Sequence, residues 1–496
     1  MTFFGDLTKL DKYFLTTFVV LKLSLLFLFP ITGDEAYFIA WAKNLSWGYY
    51  DHPPVVGWVI YALSYISDNP FFYRLFAFLS VSLVAYLIYQ LLQESFQKKT
   101  ALYVALLFFT SPLSLLLIIL SNDVTLLLFG FVGFYFYYRA LNQNSIKKAI
   151  LAGVFLGLAF LSKYLSFILL LALIAFALKN YWQTRLKLIV ISSVTVVVFI
   201  VENIVFNYFN CWNNIVFNLV ARTSESTFTP INIGLLIVTL FIILPPHGLY
   251  QVVRAGFAER PLIIKQALWV ATLAIVIFFM VSTSNRVGLH WFTLYIPFMY
   301  ILFALIAEKN LPSLLKYNIV FSSLISVVFI VAVIFHGFFL KNIERYGSLV
   351  FYSETNSVCS SFPKKEIIYS LSYSENSALA EACDDTEFHV MLNLRKYGRE
   401  DDKHIDYSFL ESKDLSVFSV DLDGVKKIEP YFSSTTVKQI KVDSEIFYLV
   451  SGVNFNYALY RENILSEIAK NYYTPPDWLP VAECSFNTKY GFDKRL

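Results

Sequence analysis

Long apolar runs alternate with short polar breaks along the first two thirds of the chain. About 20 apolar residues in a helix cross a bilayer. Read on that scale, spans are expected at 13–31, 71–92, 100–120, 124–138, 146–161, 165–178, 187–206, 231–246, 262–281, 291–306 and 318–339. The runs at 124–138 and 165–178 are short, so the breaks Ser121-Asn122-Asp123 and Ser162-Lys163-Tyr164 read as shallow turns that dip into the bilayer. Val55 to Ile66 is apolar but too short to span with ease, and reads as a helix lying in the interface. After Phe339 the pattern changes: charge rises, apolar runs shorten, and strand-like segments appear at Glu387–Leu394 and Ile446–Val450. The expected fold is a polytopic α-helical membrane protein of about 11 spans, residues 1–340, followed by a soluble α/β domain, residues 341–496.

Charge orients these spans. Fifteen basic residues fall on one set of loops: Lys9, Lys12, Lys98, Lys99, Arg139, Lys147, Lys148, Lys179, Arg185, Lys187, Arg254, Arg260, Lys265, Lys309 and Lys316. The other set holds Lys43, Lys163, Arg222 and Arg286. The positive-inside rule places the first set in the cytoplasm. The loop 33–70 and the C-terminal domain then face outward. Counting 55–66 as a span would invert every later loop and spoil the alternation.

Composition agrees with a membrane protein: 57% of residues are hydrophobic and 15% charged, against about 25% charged in soluble globular chains. The net charge of +3 is too small, and its basic residues too scattered, to argue for nucleic acid, so no nucleic-acid partner is expected. The first apolar run is long and is followed by an acidic loop, so it reads as a retained first span rather than a cleaved leader. Cys211, Cys359, Cys383 and Cys484 all fall on the outward side, where disulfides persist. Four cysteines allow three pairings, and free buried thiols are the alternative.

The outward loops also collect the chemistry. Gly33-Asp34-Glu35-Ala36-Tyr37 and Trp47-Gly48-Tyr49-Tyr50-Asp51-His52-Pro53-Pro54 place three carboxylates and a histidine directly behind the first span. Asp123, Lys163, Glu202, Asn203, Arg222, Arg286 and His290 sit in or beside the later outward loops. A carboxylate can take a proton from an incoming hydroxyl, and cations can neutralise a leaving phosphate. Such a set suits transfer from a phosphate-bearing lipid whose phosphate lies at headgroup level. Plainer roles compete. Asp123 suits a helix cap, Lys163 can snorkel, Arg222 and Arg286 suit solvated loops, and His290 suits an interfacial anchor.

These motifs closely resemble the first outer loop of bacterial GT-C membrane glycosyltransferases of the protein O-mannosyltransferase and aminoarabinose transferase superfamily. The resemblance continues in Ser121-Asn122-Asp123, in Gly157-Leu158-Ala159-Phe160-Leu161-Ser162-Lys163-Tyr164 and in His290-Trp291-Phe292-Thr293-Leu294-Tyr295-Ile296-Pro297. It implies a GT-C fold and inverting transfer of a sugar from a polyprenyl-phosphate donor. The acceptor would be lipid A or another lipid-linked glycan first, a protein hydroxyl second. Asp34 would be the base or acceptor-orienting acid, with Glu35 and Asp123 in support. His52, Lys163, Arg222 and Arg286 would meet the donor phosphate, and Tyr37, Tyr50, Asp51, Asn203 and His290 would contact substrate. The aminoarabinose branch often carries Glu-Lys-Pro where this chain has Asp51-His52-Pro53, so a lysine is replaced by a residue only partly cationic at neutral pH. No cofactor is required by this reading; a divalent metal on Asp51, His52 and His290 is the alternative. A transporter or flippase of lipid-linked sugar is the competing function, but it would gather polar groups near the midplane. Here Lys22 is the exception among apolar mid-span positions.

Overall fold

The computed structural model describes residues 7–221, 228–257, 259–335, 346–391, 399–443 and 445–492, without the side chains of 219–221, 346 and 402. The chain is mostly helical and packs into two compact units, one of residues 1–28, 62–202 and 225–329, the other of 29–61, 203–224 and 330–496.

Helices follow the apolar runs closely. α1 (Lys9–Leu28) stops before Pro30. Among the described residues, five helices have the length and apolar character to cross a membrane: Pro70–Leu92, Asn122–Gln143, Ser166–Phe209, Leu262–Ser282 and Glu308–Ile334. Counting each of two bent helix pairs as one span brings the number to seven. The other expected spans are shorter or broken. Residues 100–120 become a helix at Lys98–Phe109 and a short turn of helix at Leu113–Leu116, interrupted beside Pro112. The stretch 291–306 is built from 3-10 turns around a six-residue helix, Ile296–Ile301. The runs 165–178 and 187–206 are consecutive parts of one 44-residue helical stretch, whose backbone leaves helical geometry at Arg185.

In the first unit, helices Asn122–Gln143 and Ile146–Phe160 form a hairpin. Asn144 adopts the left-handed conformation that ends the first, and the Ser145 hydroxyl caps the second by accepting from the Lys148 amide. Lys22 is fully buried, its ammonium 5.0–5.9 Å from the rings of Phe18, Phe78 and Phe109. It faces aromatic π-systems rather than lipid.

The second unit is built on a mixed sheet of β1 (Ile367–Ser370), β2 (Glu387–Val390), β3 (Leu415–Ser419), β4 (Phe432–Val442) and β5 (Glu445–Phe455), in the order β2-β1-β3-β5-β4. β1 runs parallel to β2 and β3; β5 is antiparallel to β3 and β4. Successive strand residues point to opposite faces, and both faces are apolar. Ile368, Phe418 and Leu449 enter one core, together with Ala36 from the α2 helix (Gly33–Lys43). Tyr369, Val417 and Val450 enter the other, together with Tyr50 and Phe217. The segments 29–61 and 203–224 thus supply side chains to the two cores of the C-terminal sheet, which is why all three pack as one body. Two disulfides, Cys211–Cys484 and Cys359–Cys383, lie within this unit and select one of the three pairings the sequence allowed. The run at 55–66 forms the α3 helix (Val55–Ser64), short and apolar as expected.

Candidate active site

The first-loop motif starts α2. Thr32 takes the cap position, its hydroxyl accepting from the Glu35 amide at 3.3 Å. Asp34 and Glu35 fall in the first turn, where the helix dipole favours negative charge. Gly33 is required by close approach: a Cβ there would lie 2.4 Å from Cβ of Ser374 and 2.8 Å from its Cα. That contact brings the start of α2 against the helix Tyr373–Ala382. The two acids then diverge. Asp34 is exposed, and the Tyr373 hydroxyl donates to its Oδ1 at 2.9 Å. Glu35 is 2% exposed and turned inward. Only Asp34 of the pair is open to an incoming group.

Asp51 forms the second focus. It is buried, and its Oδ2 accepts from Nη1 of Arg399 at 2.6 Å while its Oδ1 accepts from the Tyr37 hydroxyl at 3.2 Å. His52 Nε2 lies 3.9 Å from the same carboxylate. The Asn218 amide donates to the Asp51 carbonyl at 2.6 Å. Arg399 lies over the Tyr373 ring, 3.6 Å from its centroid, so one tyrosine touches both foci: its hydroxyl holds Asp34 and its face carries the cation paired with Asp51. Glu400 extends the network, accepting from the Tyr50 amide at 2.7 Å and pairing with Lys403 at 3.0 Å. Burial and the nearby Asp34 carboxylate hold the Tyr373 phenol well above its ordinary range, so it remains a donor. Burial, then the neighbouring Glu400, pushes Asp401 up to about 7.

Tyr37, Tyr50 and Asn203, expected as substrate contacts, are buried like Asp51; Tyr37 and Tyr50 join the Asp51 and Glu400 network, while Asn203 bonds to the Asn207 amide within its own helix. In the first unit, Asp123 sits in the first turn of its helix, behind Ser121 at the cap position. Lys163 Nζ meets Asp123 Oδ1 at 2.8 Å, with both side chains mostly buried. Arg286 and His290 are exposed, His290 in the 3-10 turn Leu289–Phe292. Arg222 lies outside the described residues. Among the described residues no group of three His, Cys, Asp or Glu is placed to hold a metal ion. Asp51 fits one poorly, because both its oxygens already accept from Arg399 and Tyr37.

Tyr373, Arg399 and Glu400 escaped the sequence reading. They lie more than 330 residues from their partners Asp34, Asp51 and Tyr50. Their local sequence carries no motif, so no signal along the chain pointed to them.

Residues 51–206 match the family model of dolichyl-phosphate-mannose-protein mannosyltransferases. Lipid A galacturonosyltransferase RgtD of Rhizobium johnstonii is 31% identical over 134 residues, which are 26% of this chain. The chain thus spans 28% of the length of that relative. ArnT from Cupriavidus metallidurans has the same fold: its apo structure superposes with a TM-score of 0.59, and its undecaprenyl phosphate complex with 0.61. Both alignments cover 88% of this chain and 97% of ArnT at 13% identity. These matches agree with the resemblance to GT-C membrane glycosyltransferases: the chain shares the ArnT fold and carries helices long and apolar enough to cross a membrane.

Proposed function

We propose that this chain is a glycosyltransferase that moves a sugar from a polyprenyl-phosphate donor to an envelope acceptor on the outer face of the bacterial inner membrane. Lipid A or another lipid-linked glycan is the first acceptor class and a protein hydroxyl the second. The observation that carries the reading is Asp34: an exposed carboxylate in the first turn of α2, oriented by the Tyr373 hydroxyl, beside the buried Arg399–Asp51 pair. The acceptor oxygen would attack the sugar's anomeric carbon while the bond to the donor phosphate oxygen breaks. The configuration inverts, the polyprenyl phosphate leaves, and the acceptor proton passes to Asp34 where the acceptor is a hydroxyl. Glu35 and Asp123 support the geometry. Lys163, Arg286, His52 and Arg222 are the candidates to neutralise the leaving phosphate. With a phosphate acceptor no strong base is needed, and Asp34 would position groups instead.

The outward orientation of the C-terminal part and the eleven-span topology belong to the same reading. The asymmetric loop charge and the two disulfides support the orientation. Reporter fusions at Lys147 and Lys413 should report opposite sides of the membrane. The activity is tested by mass spectrometry of lipid A and envelope glycans from cells lacking the chain and from cells carrying Asp34→Asn. Loss of one sugar-sized increment in both supports the transferase and identifies the acceptor. Normal product from an inserted Asp34→Asn protein overturns the assignment of Asp34. Unchanged lipid and protein glycans, with lipid-linked sugar accumulating on the inner leaflet, would point to transport.

A further inference from the structure

The helix Ser166–Phe209 is strongly apolar, yet only 28% of its most apolar window is buried within the protein. Its last turns expose Ile204, Val205 and Phe209. An apolar surface of this kind marks a contact site, and the length and hydropathy of the helix fit a bilayer. Two further large aromatic residues, far apart in sequence, are held around this helix end. Trp47 is 68% exposed and Trp478 is 78% exposed, beside Phe209 at 63%.

Each is fixed there by specific contacts. Gly48 lies against the Phe206 ring so closely that a Cβ would fall 2.5 Å from it. That seats the neighbouring Trp47, which also meets Trp58 edge-on at 5.7 Å. The loop carrying Trp478 is tied down three times. The Trp212 indole donates to the Pro480 carbonyl at 2.6 Å, the Ala482 amide donates to the Tyr208 carbonyl at 3.2 Å, and Cys484 is disulfide-bonded to Cys211. Single exposed hydrophobics are ordinary on any protein. Here the segments that carry the two tryptophans are each tied to residues 206–212, at the end of an apolar helix that itself exposes Phe209. Tryptophan prefers the membrane–water boundary, where its ring meets acyl chains and its N–H meets water or headgroups. Asp477, exposed beside Trp478, suits headgroup depth and would be costly within hydrocarbon.

We propose that Trp47, Phe209 and Trp478 form an interfacial anchor that seats this unit in the headgroup layer of a bilayer, and that the loop 473–484 touches the membrane. The anchor would set the height of Asp34 and Asp51, which belong to the same unit, relative to lipid headgroups. It stands on exposure and packing alone and does not depend on sugar transfer.

The test uses the full chain in phosphatidylcholine–phosphatidylglycerol nanodiscs. The emission of Trp478 is obtained as the difference between wild type and Trp478→Ala. Trp478→Tyr, which keeps an interfacial side chain, takes its place if the alanine variant fails to fold. Lipids brominated near the headgroup end of the chain should quench most of this difference emission, and aqueous iodide should quench little of it. The same outcome is expected for Trp47→Ala. Difference emission that iodide quenches fully and brominated lipid leaves unchanged overturns the anchor. That result would leave the transferase reading untouched, and an absence of sugar transfer would leave the anchor standing.

Discussion

Arg399 donates to Asp51 at 2.6 Å across 348 residues of sequence, and both side chains are largely shielded from water. The cation meets the carboxylate on one side and the Tyr373 ring on another. Removing one member of such a pair leaves the other charge buried without its counter-ion, at a cost of about 3–5 kcal/mol. Arg399→Met should therefore sharply lower the unfolding temperature of the purified protein. Arg399→Met with Asp51→Asn should recover much of the loss. An unshifted melting curve for the single variant would refute a supporting role for this pair.

Tyr373→Phe keeps the ring beneath Arg399 and removes only the hydroxyl that orients Asp34. The expected stability change is about 1 kcal/mol or less, since the bond is partly solvated. If Asp34 acts in transfer, the turnover number should fall about tenfold, as expected for roughly 1.4 kcal/mol lost in the transition state. The Michaelis constant for acceptor should hardly change. An unchanged turnover number for Tyr373→Phe would overturn the orienting role of its hydroxyl, and a rise in the acceptor Michaelis constant at constant turnover would assign the tyrosine to acceptor binding instead.

Asp401 supplies a pH dependence. Its carboxyl is raised from 3.8 to about 7 by burial, with the Glu400 charge second. The folded state holds this proton more tightly than the unfolded chain. The stabilisation is complete below pH 3.8 and is lost progressively as pH rises through about 7. Thermal unfolding followed from about pH 5 to about pH 8 should show falling stability. Asp401→Asn, which can still accept from the Asn376 amide, should flatten that slope.

Lys163 and Asp123, both candidates for transfer chemistry, already neutralise each other at 2.8 Å. Lys163→Met should destabilise the first unit, by about 3 kcal/mol or more because Asp123 is left mostly buried and unpaired. Asp123→Asn in the same protein should restore stability. If Lys163 also meets the donor phosphate, that stable double variant should transfer no sugar in the lipid A mass assay while Asp123→Asn alone keeps part of the activity.

Much of the helical part was readable along the chain because lipid enforces a strong local pattern. The runs 71–92, 146–161 and 262–281 fall within a residue or two of helices Pro70–Leu92, Ile146–Phe160 and Leu262–Ser282. Breaks were harder to read. Arg185 interrupts a helical stretch without ending it, and residues 291–306 divide into short turns although nearly all of them are apolar. In the site, the acidic first-loop motif stood out because charges behind an apolar run are unusual. The need for Gly33 did not, because the atoms that exclude a side chain there belong to Ser374. Tyr373 and Arg399 were invisible for the same reason: a hydrogen bond between distant segments leaves no periodicity in either.

The Cys211–Cys484 link joins residues 273 positions apart and so turns more than half of the polypeptide into a covalent ring. Cys359–Cys383 closes a smaller ring inside it. A single cut anywhere between the outer pair opens the ring but releases nothing. A nicked protein would still run as one species on a non-reducing gel, and would fall into two pieces after thiol treatment unless the cut lay between Cys359 and Cys383 with only that inner link kept. Proteolytic damage would leave the two ends of this ring together for as long as the outer sulfur bridge holds.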